Sequence, residues 1–183
     1  MFWFLISALF FCGAIGCGSY IETDPEKTIF VPTLKIEGYE EYVEAFVADA
    51  KSFGINLKIK DLIIETERSV DDTPNDGATT LAKCYTGFML TPKIVISSEQ
   101  WALLSEYGRV QLMYHELGHC ILKRDHREDG LSIMNPFRID DELFVKWNQE
   151  LLEELFRGGP IRVPKSVRLN LINQHKDCEH IKK

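Results

Sequence analysis

Five consecutive residues constrain this chain more than any others: His115-Glu116-Leu117-Gly118-His119. They lie within RVQLMYHELGHCIL, Arg109 to Leu122, whose apolar spacing predicts a helix. On a helix, positions i and i+4 share one face. Two imidazoles one turn apart can then hold a single metal ion, at about 2.0–2.1 Å for zinc. Glu116 is offset around the helix, so it can reach a water on that ion without being a ligand. Zinc lowers such a water's pKa to about 7, and the carboxylate can take its proton as the water attacks a carbonyl. Ordinary residue frequencies place two His and one Glu in this pattern by chance in fewer than about one chain in a hundred of this length.

A catalytic zinc takes three protein ligands and keeps one position open. His126 lies seven residues beyond His119, in a stretch read as loop, with Asp125 beside it. Neutral imidazole is the commonest metal ligand, which favours His126 and leaves Asp125 as the alternative. A few residues later the chain reads Leu131-Ser132-Ile133-Met134-Asn135-Pro136.

HExxH, a third ligand shortly after and an Ile-Met-x-Pro turn together resemble the metzincin zinc peptidases, closely over His115 to Pro136. The resemblance implies an α+β catalytic domain: a mixed sheet, an active-site helix, a Met-turn and a C-terminal helix. It implies that Met134 lies beneath the ligands. The string is similar to that of small bacterial lipoproteins of metzincin type. Two departures stand out. The family's HExxHxxGxxH places a glycine where this chain has Leu122, or Lys123 with one extra residue, so Lys123 must adopt a left-handed conformation or the helix must end otherwise. The tyrosine that some members carry after the turn is replaced by Pro136 and Phe137.

The N-terminus carries a second signal. Phe2 to Gly16 is a continuous apolar run, shorter than the roughly twenty residues of a membrane span and suited to an export signal. It ends in Ala14-Ile15-Gly16-Cys17, which resembles a lipobox with cleavage before a lipidated Cys17. No Lys or Arg precedes the run, so a plain secretory signal or an uncleaved anchor stays open. The expected organisation is a signal over 1–16, a lipidated tether over 17–34 and one peptidase domain over 35–183, anchored in a bacterial envelope, with the outer membrane favoured. In an oxidising compartment Cys84, Cys120 and Cys178 leave one pair and one thiol. A Cys84–Cys120 bridge would brace the site helix, and three buried thiols are the alternative. A net charge of −7, with no basic stripe to neutralise phosphates, argues against nucleic acid as a partner. A monomer acting on peptide or protein is expected.

Elsewhere, apolar steps of three and four predict a helix over Ile36–Phe53, ended by Gly54. Strands are predicted across 57–64, 81–90 and 93–97, the last as the edge on which a peptide substrate docks. Ser97 or Ser98 should cap a short helix, and Asp140 a long one that Gly158-Gly159-Pro160 stops. Tyr114 is expected against the sheet. The acidic run at 71–76 is read as a solvated turn rather than a calcium loop, and His175, Cys178 and His180 as a polar tail rather than a second metal site.

The reading is a one-zinc endopeptidase: His115, His119 and His126 hold the metal, and Glu116 is general base. Two rivals remain. In a gluzincin-type peptidase the third ligand is a later Glu, here Glu142 or Glu150. The other rival is a non-catalytic zinc-binding lipoprotein of the outer membrane, which would have no need of Glu116.

Overall fold

The computed structural model describes residues 33–70, 80–88, 90–128, 130–159 and 161. The signal, Cys17, most of the tether, the acidic turn at 71–76 and the tail with Cys178 lie outside them. Among the described residues no helix is long and apolar enough to cross a membrane.

The fold is α+β, with a four-stranded mixed sheet and five helices in the described residues. The strands are β1 (Leu34–Lys35), β2 (Leu62–Glu67), β3 (Ala82–Tyr85) and β4 (Lys93–Ser97), in the order β1-β2-β4-β3. β1, β2 and β4 run parallel, and β3 joins β4 antiparallel at the edge. β4 is flanked on both sides, and its Ile94, Val95 and Ile96 are all buried. A strand covered on both faces can be continuously apolar, whereas β2 alternates buried Leu62 and Ile64 with half-buried partners.

Helix α1 (Glu40–Ser52) buries Val43, Phe46 and Ala50, the steps of three and four that predict it, and Gly54 follows at φ 81°. Phe46 stacks edge-on against Tyr114 at 5.2 Å and lies 5.0 Å from Phe156, so α1 joins the site helix and the last helix in one core. Helix α2 (Ser98–Leu103) is capped by Ser97, whose hydroxyl accepts from the Gln100 N–H. Helix α3 (Glu106–Cys120) begins one turn before the periodicity indicates, because Ser105 caps it by accepting the Gly108 N–H at 2.9 Å.

Several expectations shift. Residues 57–61 form no strand; pairing begins at Leu62 and extends to Glu67. Leu34, assigned to the tether, belongs to β1. The strand expected over 81–90 is only four residues long. The edge strand beside β4 is β3 rather than Lys93–Ser97 itself, because β3 folds back onto β4 and covers it, with β1 at the other edge. Tyr114 faces α1 rather than the sheet, with its hydroxyl 2.7 Å from Asp49. The C-terminal helix is two helices, α4 (Asp141–Lys146) and α5 (Asn148–Arg157), broken at Trp147 with φ −114° and ψ 22°. Asp140 caps α4, and Gly158 at φ 78° ends α5.

A disulfide between Cys84 and Cys120, with Cα atoms 5.7 Å apart, ties β3 to the last turn of α3. It closes a loop across a sequence separation of 36 residues. Loop-closure entropy then predicts that the Cys84→Ala, Cys120→Ala double variant loses roughly 3–4 kcal/mol, read as a lower urea midpoint than the parent's.

Candidate metal centre

His115 and His119 project from one face of α3 into a cleft of about 1000 Å³. The opposite face of that helix is core: Met113, Leu117 and Cys120 are buried. One wall of the cleft is β3 with the residues around it, and the other is Ile133 to Ile139.

The chain leaves α3 through Lys123 at φ 57°, a left-handed conformation that costs a non-glycine residue about 1–2 kcal/mol. Its ammonium donates to the Cys120 carbonyl at 2.8 Å, where the negative end of the helix favours a cation. This turn reverses the chain, and the Arg124 N–H donates to the Gly118 carbonyl at 3.0 Å. His126 thereby comes back over the helix. Its Nε2 is 3.2 Å from Nε2 of His115, which is 3.1 Å from Nε2 of His119.

The tautomers follow from the other ring nitrogens. His115 Nδ1 lies 2.8 Å from the Ile133 carbonyl, and His119 Nδ1 lies 2.6 Å from the Arg124 carbonyl. A carbonyl only accepts, so both Nδ1 atoms carry the proton and both Nε2 atoms present lone pairs. Lone pairs this close need a cation between them. Two nitrogens bound tetrahedrally at about 2.0–2.1 Å stand roughly 3.3 Å apart, close to the separations observed. The donor set therefore fits a metal ion, and among the described residues His115, His119 and His126 form the group that can hold one. Asp125 lines the cleft but does not join that group, nor do Glu142 and Glu150. Burial pushes His115 down to about 4, and burial also lowers His119, which keeps both imidazoles neutral as ligation requires.

Glu116 is buried beside the cluster, and its Oε2 has no hydrogen-bond partner among the described residues. Burial pushes its carboxyl up to about 7, against a hydrogen bond from the Cys84 backbone N–H. A buried polar atom without a partner is costly, and a catalytic role is one of the explanations for it.

Met134 is fully buried under the helix. A Cβ on Gly118 would stand 2.5 Å from its sulfur and 3.3 Å from Leu155 Cδ1. A residue without a side chain lets Met134 press against the helix between the two histidines. Sequence reasoning passed over Gly118, although glycine inside a helix costs about 1 kcal/mol and is itself a signal of close approach. It also passed over Arg124. The Arg124 carbonyl orients His119, while its guanidinium donates to the carbonyls of Leu155 and Phe156 at the end of α5.

Fold and site together define an α+β domain with a cluster of three histidines, able to hold a metal ion, in an open cleft. Comparison with family models, with curated proteins and with solved structures gives no match for this chain.

Two consequences are measurable. Gly118→Ala should lose about 1–3 kcal/mol through overpacking against Met134, seen as a lower melting temperature. Glu116 and His115 set opposite pH slopes in the metal-free protein. Between pH 4.5 and 7 the unfolded chain ionises Glu116 while the folded state keeps it protonated, so rising pH destabilises. Below pH 6.5 the unfolded chain protonates His115 while the folded state resists until about 4, so falling pH destabilises. Metal-free Glu116→Gln should therefore exceed the parent in stability at pH 8, by on the order of 3 kcal/mol, with the gain vanishing toward pH 4.5. Urea midpoints at the two pH values measure this.

Proposed function

We propose that this protein is a zinc-dependent endopeptidase of metzincin type, with His115, His119 and His126 as ligands and Glu116 as general base. The single observation that carries the reading is the pairing of an open three-imidazole cluster with a buried, partnerless carboxylate oxygen on the same helix. A structural zinc site closes its fourth position with a protein ligand and needs no base. The all-histidine set favours zinc over magnesium or calcium, which take oxygen ligands. The gluzincin alternative loses support because His126, rather than Glu142 or Glu150, completes the group.

Zinc, when bound, supplies Lewis acidity that lowers the pKa of a water and polarises a carbonyl. This chain's residues do the rest. Glu116 takes a proton from the attacking water and delivers it to the departing amine. The carbonyls of Ile133 and Arg124 hold the two helix imidazoles in the ligating tautomer.

Substrate orientation falls to β3. The Ser97 N–H donates to the Leu81 carbonyl, so by antiparallel alternation Leu81, Lys83 and Tyr85 pair with β4. The backbone groups of Ala82 and the Cys84 carbonyl then face away from the sheet, toward the cleft that both residues line, while the Cys84 N–H is taken by Glu116. An extended peptide can add to that edge as a further strand. Apolar Leu112, Ile133, Ile139 and Phe137 line the cleft alongside. The N-terminal signal and Cys17 support a further proposal: the domain acts at a bacterial envelope surface, held there by lipid.

Metal analysis and a peptide-digestion assay of the purified protein test the reading. The parent should bind one zinc and cleave unfolded polypeptide. Glu116→Gln should keep the metal and lose about 10²–10⁴ in kcat. His126→Ala should lose the metal, and retained stoichiometric zinc in that variant overturns the ligand set.

A further inference from the structure

Glu154 is a buried carboxylate on α5 that the hydrolytic scheme does not use. Its Oε1 accepts from Arg127 Nη1 at 2.8 Å, and its Oε2 accepts from the Ser132 hydroxyl at 2.8 Å. These two donors belong to the two segments that build the site. Arg127 directly follows His126. Ser132 stands two residues before Met134, and its oxygen accepts the Met134 N–H at 3.0 Å. The same segments are also joined by the Arg127 N–H, which donates to the Met134 carbonyl at 2.8 Å. Arg127 Nη1 reaches the Gly159 carbonyl as well, at 2.8 Å, past the end of α5.

A charge taken out of water is unfavourable unless it is paired and hydrogen-bonded, and an apolar side chain packs α5 at least as well, as Leu151 and Leu155 do on either side. The carboxylate at 154 is therefore poorly explained by stability alone. Its two oxygens do something an apolar group does not: they fix the distance between the loop carrying the third ligand and the turn under the other two.

We infer that Glu154 is a positioning residue of the metal centre, clamping the His126 loop to the Met134 turn through Arg127 and Ser132 and thereby setting the centre's metal affinity. This rests on the zinc-site reading above. The clamp acts on the one ligand that no helix holds in place. It also shares its anchor with His119, whose orienting residue Arg124 is pinned to carbonyls of the same helix.

The test compares Glu154→Gln and Ser132→Ala with Val43→Ala, a core change on α1 that lowers stability without touching the clamp. Zinc affinity is measured by competition with a chromophoric chelator, and the cobalt-substituted protein is examined by visible absorption. Glu154→Gln is expected to weaken zinc about 10–100-fold and to alter the cobalt spectrum as the third imidazole becomes loose, with Ser132→Ala in the same direction. Val43→Ala should keep the parent's affinity and spectrum. Parent-like affinity and spectrum in Glu154→Gln overturn the inference. A second arm needs no metal: amide exchange at Arg127 and Met134 in the metal-free protein should quicken in Glu154→Gln more than in Val43→Ala, and equal rates overturn the clamp. A parent that binds no zinc sinks the peptidase reading, while the exchange arm still decides the clamp.

Discussion

Three imidazole nitrogens converge here on one point, two of them with lone pairs toward it, and much of the described structure holds them there. Left alone, that arrangement is repulsive. It persists because each helix histidine gives its other ring proton to a backbone carbonyl, and those carbonyls sit on chain that the core fixes. The Ile133 carbonyl belongs to the turn packed against Gly118, and the Arg124 carbonyl belongs to a residue whose guanidinium is fastened to α5. The constraint thus runs outward from the cluster, through two backbone oxygens, to the C-terminal helix and the aromatic core that joins it to α1.

Glu116 carries the complementary strain. A carboxylate with no partner among the described residues on one oxygen is unfavourable in a buried setting, and a cation held by the neighbouring imidazoles would offset that cost. The stability given up at that oxygen is the ordinary exchange between a rigid fold and a chemically prepared site.

Much of this was legible in the sequence. The helical period around His115 and His119 is local, and so is the capping chemistry of Ser97 and Asp140, so both can be read from neighbours. That His126 joins the two helix histidines needed only the reach of a short loop. What stayed hidden depends on contacts between distant residues. That β3 rather than β4 forms the edge is a matter of strand pairing, which alternation within one segment does not encode. The break at Trp147 lies inside an unbroken apolar period, and only packing of α4 and α5 on different partners separates them. Gly118 looked like a filler within a motif until Met134 was seen against it. Glu154 looked like one acid among many on a charged helix, because a charge in a helix usually faces water.

The bond between Cys84 and Cys120 has a consequence for how the cleft can breathe. One wall is stitched to the floor by a covalent tether, so the gap between strand and helix is fixed to within the play of two side chains. Any widening that admits a bulky guest, or narrowing that grips it, must then come from the opposite bank around Asn135 to Arg138, where Phe137 stands largely in solvent. The cleft is a vice with one fixed jaw.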